Sequence, residues 1–522
     1  MRKYNFYKND PVESIVELIE RSSRLYKETT AIKFKENRKA IEKSYNELLS
    51  DTKLCANNLL QNYPTANHIA VLGSSSYGWI VTYLGAVFAG RVIVPLDKEL
   101  AAAELSEQIT QADVELLVFD KEYADVAADI AAQVKLCTAP MYSLLMPAVE
   151  PSILPEVDPD KLSTIVFTSG TTGKSKGVML TQRNIANNVV QGVGAVDVKH
   201  GKDVIMSVLP LNHAYEFTCT VLGMSYKGVP ICISSGLKYL QREFNEYRPT
   251  VMFVVPLIAE KLYEKVEHTV KEKKKETLFA FATRLTRIFY KLKIDISNLV
   301  LKEVKSAFGG NLRILMCGGA PLQEELIKKY NGIGINLFQG YGLTECSPLL
   351  TVNFDYYHRL GSVGKIVDKC QVKVVDGEIW AKGVSVSTGY YKNQKETEKS
   401  FCDGWFKTGD LGYVDKDDFV FITGRKKNLI ILDNGKNVSA EELEDHIYKI
   451  PYVEEVIVYG ANNLIIAEVY IDKESYSVSE TQLKLDIDKI NATLPAYKNI
   501  NKIILREEPF EKTTSKKIKR IR

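Results

Sequence analysis

Little in this 522-residue sequence could hold a metal or a disulfide framework. Its eight cysteines are scattered at 55, 137, 219, 232, 317, 346, 370 and 402. None forms a C-x-x-C pair, and the six histidines show no ligand spacing. Structural zinc and a cross-linked secreted scaffold are therefore not expected, and a reducing cytoplasm is. The N-terminus, MRKYNFYKND, lacks the apolar core of a secretory signal. A long unbroken apolar run is missing too. The best candidate, Trp79 to Leu96, is interrupted by Gly85, Gly90 and Arg91, and reads as a buried helix, a turn and a buried strand. Excess charge is also lacking: 68 Lys and Arg against 65 Asp and Glu leave +3, which gives no electrostatic argument for nucleic acid.

The chain is too long for one compact core, so two or more domains are expected. Short runs rich in Val, Ile and Leu recur, each followed by a helix-like segment: HIAVLG from 68, VELLVFD from 114, STIVFTSG from 163, DVIMSVLP from 203, TVMFVVP from 250 and LRILMCGG from 312. Such alternation predicts an α/β protein whose mostly parallel strands are covered on both faces. Ligands of such sheets sit beyond the carboxyl ends of the strands. After about residue 365 the texture becomes β-rich, with Asp/Gly turns joining antiparallel strands. A small α+β tail follows, with a hairpin at 453–471 and a helix at 481–494. The expected domains are 1–426 and 427–522.

Three stretches fall at strand ends: TSGTTGKSKGV (168–178), CGGAP (317–321) and QGYGLTEC (339–346). The first is rich in hydroxyls, glycine and lysine, as a phosphate cradle would be. It is not a Walker loop, because the first glycine of G-x-x-x-x-G-K-[ST] would have to stand at 168, where there is Thr168. An ordinary surface turn has similar composition. Residues 261–295 form a lysine-rich amphipathic stretch with Leu278, Phe279, Phe281, Leu285, Ile288 and Phe289 on or near one side. Either a helix packs there with a solvated outer face, or it attaches shallowly to an anionic membrane.

YGLTE (341–345), GEIWAKG (377–383), GWFKTGDLGYVDKDDFVFITGRKKNLI (404–430), NGKNVSAEELE (434–444) and KTTSKKIKR (512–520) join the hydroxyl loop in order along the chain. Together they resemble the signature set of the adenylate-forming superfamily, which includes acyl-CoA synthetases, luciferases and peptide-synthetase adenylation domains. The resemblance runs from about residue 20 to the C-terminus. It implies a two-step reaction with ATP, Mg²⁺ and coenzyme A: a carboxylate attacks the α-phosphate of ATP, and a thiol then displaces AMP. It also implies a small C-terminal domain that turns between the steps.

By that resemblance Thr168, Ser169, Gly170, Thr171, Thr172, Gly173 and Lys176 serve the β- and γ-phosphates. Tyr341 and Gly342, with the backbone of Gly318, Gly319 and Ala320, take adenine. Thr344 bonds the α-phosphate and Glu345 holds magnesium. Asp410, supported by Arg425, takes the ribose hydroxyls. His213, in LPLNHAYEF, falls beside the acyl carboxylate. Lys517 matches the lysine that bridges carboxylate and phosphate, although Lys516 stands where glycine is usual. Lys427 matches the hinge, and Gly435 the path of the pantetheine arm. The long connection 261–310 resembles that of long-chain fatty acyl-CoA ligases and implies a medium- to long-chain fatty acid. An acyl-carrier-protein ligase, an enzyme for aryl or other acids, and a catalytically silent nucleotide binder remain as alternatives. A homodimer and a peripheral contact with the inner membrane face also stay open.

Overall fold

The computed structural model describes residues 6–37, 39–147, 153–168, 175–291, 294, 296–432, 436–473, 476, 478–512 and 518–520. These fall into two compact units, Met1–Gln371 with Ala381–Phe406, and Val372–Trp380 with Lys407–Arg522. The expected boundary near 426 thus lies inside the second unit, after the hairpin that precedes the tail.

The first unit is built on two sheets. One is six-stranded, in the order Cys137–Pro140, Leu116–Phe119, His68–Leu72, Val92–Pro95, Leu162–Thr168 and Lys176–Thr181. All its pairings are parallel except the last, an antiparallel hairpin. The second has a parallel centre ordered Asn336–Gly342, Ile314–Cys317, Val251–Val254, Ile205–Ser207, Ile231–Ile233 and Thr30–Glu36. Antiparallel strands Leu349–Val352 and Lys39–Ser44 flank that centre. The apolar runs read from the sequence are these strands, buried because helices cover them.

The segment that could have been taken for a membrane span is the buried helix Tyr77–Phe88, a turn at Gly90 and the strand Val92–Pro95. Gly85 is needed in that helix, since a Cβ there would lie 2.5 Å from Cys55 Sγ. Among the described residues no helix is long and apolar enough to cross a membrane.

In the second unit, strand Trp405–Val414 pairs antiparallel with Phe419–Arg425. The tail adds the small pair Leu429–Ile431 and Asn437–Ser439, then a sheet of Val453–Ala461, Leu464–Ile471 and Lys502–Leu505. Helices Ala440–Ile447 and Glu480–Asn491 close its core through Leu443, Ile447, Leu483 and Ile487. The predicted hairpin and helix are both present. Asn462 and Asn463, both at positive φ, make the hairpin turn.

Candidate active site

The hydroxyl-rich loop joins two strands. Thr168 ends one, Lys176 begins the next, and the two residues are cross-strand partners. A Walker loop leads into a helix, so the hairpin setting agrees with the failed spacing. Ser169, Gly170, Thr171, Thr172 and Gly173 lie outside the described residues.

At the base of this hairpin Lys176 forms an ion pair with Glu396, and its Nζ sits 5.2 Å over the ring of Tyr390. The pairing with Lys176 lowers the Glu396 carboxyl below its ordinary value. In this arrangement the charge expected to face phosphate is already paired with Glu396.

Tyr390 connects the hairpin to the next candidate. Its backbone bridges Val178, and its hydroxyl donates to Glu345 Oε1 at 2.8 Å. Burial first, and the Glu345 charge second, push the phenol far above its ordinary value, so it stays a donor. Ser387 N–H donates to the Glu345 carbonyl at 2.8 Å, which ties the Thr344–Cys346 turn to the same strut. One carboxylate oxygen of Glu345 is thus oriented from below.

No cluster of three or more His, Cys, Asp or Glu suited to a metal occurs among the described residues. A single oriented carboxylate suits Mg²⁺, which takes one or two carboxylates and fills its shell with phosphate oxygens and water. Glu345 therefore fits the ion expected there.

Gly318 to Ala320 follow strand Ile314–Cys317, and Tyr341 lies near the end of the neighbouring strand Asn336–Gly342. Close approach explains Gly342, where a Cβ would lie 1.9 Å from Pro348 O. Gly319 has φ +83°, which favours glycine.

Next to these strand ends lies an apolar pocket. Helix Gln182–Val193 contributes Val189, Gly192 and Val193; the helical run from Glu216 contributes Thr218, Cys219, Gly223 and Met224; the strands contribute Phe253, Met316 and Gly340. No charged side chain lines it. Two of its polar members are spoken for: Tyr215 donates to Met316 O at 2.9 Å, and the Asn188 amide bonds Cys346 O and Leu349 O and accepts from Leu349 N–H. Burial pushes the Cys219 thiol up to about 12, so it is no nucleophile. Half-buried His213 stands in the turn just before this helical run, its carbonyl accepting from Glu216 and Phe217 N–H.

Glu216 and Tyr390 escaped the sequence reading. Glu216 is fully buried in a π-helical segment, Glu216–Leu222, and accepts from Ser207 Oγ at 2.5 Å. Burial raises its carboxyl to about 8. A raised folded-state pKa contributes stability at low pH that is lost as pH rises through about 8. Glu216→Gln is therefore expected to match the wild type near pH 5 and to be more stable by up to about 3 kcal/mol near pH 8.5. Denaturant titrations at the two pH values check this; a pH-independent difference would assign Glu216 a different role.

In the second unit Asp410 and Arg425 are cross-strand partners, with Arg425 Nε 2.6 Å from Asp410 Oδ1. Asp410 is buried while Arg425 is half-exposed. Lys427 follows in the Lys426–Asn428 turn; burial and the charge of Arg425 lower its ammonium pKa. Neighbouring Lys426 bonds Glu378 at 2.9 Å. Gly435 and Lys517 lie outside the described residues. On either side of the latter, Lys512 and Ile518 are paired, and Arg520 forms an ion pair with buried Glu444.

The AMP-binding enzyme model matches residues 19–391, and that of the AMP-binding enzyme C-terminal domain matches 427–522. A long-chain-fatty-acid–CoA ligase of Mycobacterium bovis is 31% identical over 449 residues, covering 78% of this chain and 74% of that protein. A 2-succinylbenzoate–CoA ligase of Listeria innocua is 28% identical over 512 residues, covering 96% and 97%. The crystal structure of ATP-bound MatB from Rhodopseudomonas palustris superimposes with a TM-score of 0.79 at 26% identity, over 96% of this chain and 97% of that one. This chain belongs to the AMP-binding, adenylate-forming enzyme family. It is an acid–CoA ligase of the AMP-forming type.

Proposed function

We propose that the acid is a medium- to long-chain fatty acid, activated as its acyl-adenylate and passed to coenzyme A with release of AMP and pyrophosphate. The observation that carries this reading is the apolar pocket beside Gly318 and Gly340. It offers methyl, methylene and aromatic surface and no charged side chain. A dicarboxylic acid such as succinylbenzoate would bury a second carboxylate there without a partner, which is costly. An alkyl chain has no such group.

A carboxylate is a poor nucleophile toward a polyanion, so the site must neutralise charge and align reactants. Tyr341 stacks on adenine against the Gly318–Ala320 backbone, and Asp410 accepts from the ribose hydroxyls with Arg425 holding it. The hydroxyl loop grips the β- and γ-phosphates, and Thr344 donates to the α-phosphate. Glu345, oriented by Tyr390, would hold Mg²⁺, which supplies charge neutralisation between the phosphates. His213 takes the place beside the acyl carboxylate that its position in LPLNHAYEF implies. Lys517 bridges acid and phosphate during adenylation. The 427–522 domain then turns about Lys427, withdrawing Lys517 and bringing Gly435 to the pantetheine path.

The test is ATP–pyrophosphate exchange over saturated acids of two to eighteen carbons, with succinylbenzoate and benzoate alongside. Exchange is expected to rise with chain length beyond the short acids. Faster exchange with succinylbenzoate or benzoate would replace the fatty-acid reading. Gly223→Leu probes the same pocket: a Cβ there meets only Thr218 O and Val193 Cγ1, both at 3.4 Å, so a small side chain fits and a larger one takes up pocket space. It is expected to reduce kcat/KM for long acids by at least about tenfold while sparing shorter ones. An unchanged length profile would place the acyl chain elsewhere.

A further inference from the structure

Helix Glu276–Lys291 has two apolar faces. The inner one packs on the first unit through Ala282 and Phe279, with Thr283 and Thr286 also buried. The outer one leaves Leu278 62%, Phe281 64% and Ile288 50% exposed. Exposed Arg284 falls on the same face at helical spacing, so the outer stripe runs Leu278, Phe281, Arg284, Ile288. Exposed Lys274 lies in the turn that leads into the helix. The short helix Ser297–Val300 packs beside it and leaves Leu299 83% exposed.

Charge is concentrated here as well. Residues 271–303 hold nine Lys or Arg against four Asp or Glu, a larger excess than the +3 of the whole chain. Glu303 pairs with Lys273 and Lys275; Arg284 stands within the apolar stripe, and Lys274 is exposed in the turn before the helix.

We infer that this face is a docking surface for an anionic lipid bilayer, with Leu278, Phe281 and Ile288 entering the headgroup boundary and Lys274 and Arg284 meeting lipid phosphates. Long basic stems beside an apolar stripe can bury their methylenes and keep their charges at headgroup level. Clustered cations near a membrane surface each add attraction to anionic lipid. A second copy of this chain fits worse, because it would press one cationic face against another. The inference stands apart from the choice of acid, since none of these side chains lines the pocket.

The test is flotation of the full chain with vesicles of phosphatidylcholine alone, or with about a third phosphatidylglycerol. Binding to the anionic vesicles is expected to be at least about tenfold stronger, and to weaken several-fold when salt is raised well above physiological strength. The triple variant Leu278→Ser, Phe281→Ser, Ile288→Ser is expected to bind at least about tenfold more weakly. Lys274→Ser with Arg284→Ser should erode the preference for anionic vesicles. Both variants should keep wild-type ATP–pyrophosphate exchange with a soluble acid such as octanoate, which shows that they fold. A wild type that fails to float with anionic vesicles overturns the inference, as does a triple variant that binds like it. If the triple variant instead converts a wild-type dimer to monomers without any vesicle binding, the face joins two copies.

Discussion

Lys517→Ala is expected to slow adenylation by about 10²–10³ while leaving thioester formation from supplied acyl-adenylate near the wild-type rate. The asymmetry follows from the chemistry. The first step brings an anionic carboxylate onto an anionic phosphate, and a bridging cation lowers the repulsion as the new bond forms. The second step attacks a neutral acyl carbonyl and gains nothing from that bridge. Pyrophosphate exchange and single-turnover thioester formation read the two steps separately. Equal loss in both would remove Lys517 from the role proposed for it. Lys516 provides the register control: Lys516→Ala should leave exchange largely intact, and the reverse pattern would move the assignment one residue back.

The second large effect concerns Glu345 and the residue beneath it. Glu345→Gln is expected to reduce exchange by about 10²–10³, because a neutral amide cannot hold Mg²⁺ against the phosphates. Tyr390→Phe keeps the ring under Lys176 and removes only the 2.8 Å hydrogen bond to Glu345. One hydrogen bond to a charged group contributes roughly 1.5–3 kcal/mol, so a loss of about ten- to hundredfold is expected. It should show chiefly as a raised Mg²⁺ requirement. Mg²⁺-dependent protection of the protein against thermal unfolding by ATP, measured without any acid present, should shift to higher Mg²⁺ in the same variant. A lower exchange rate at every Mg²⁺ concentration, with unshifted protection, would make Tyr390 a packing residue only.

The strands were legible because parallel strands buried on both faces must be written in Val, Ile and Leu, and the runs from residues 68, 114, 163, 250 and 312 are. The hydroxyl loop was legible from composition, and its departure from Walker spacing matched a hairpin in which Lys176 returns as a strand residue. The Glu345–Tyr390 contact was not, because the two residues lie 45 positions apart and only the fold joins them. Lys176 was read as a phosphate ligand from its place in the motif; its partner Glu396 is 220 residues away.

Helix Glu276–Lys291 shows a different limit. The sequence placed Leu278, Phe279, Phe281, Leu285, Ile288 and Phe289 together on or near one side, whereas the structure turns Leu278, Phe281 and Ile288 outward and Phe279 inward. The inner face accepts Thr283 and Thr286 because their hydroxyls return to the carbonyls of Ala280 and Ala282 at 3.0 Å. Threonines satisfied within the helix can be buried, so polarity alone misjudged which flank packs.

The central claim is that this chain makes the α-phosphorus of ATP open to attack by a fatty acid carboxylate. Its most direct measurement is exchange of labelled pyrophosphate into ATP by the purified chain with Mg²⁺, with and without a fatty acid and in the absence of coenzyme A. Exchange that depends on both the acid and Mg²⁺ is the expected result. No exchange with any acid from two to eighteen carbons, from protein that still binds ATP, would contradict it.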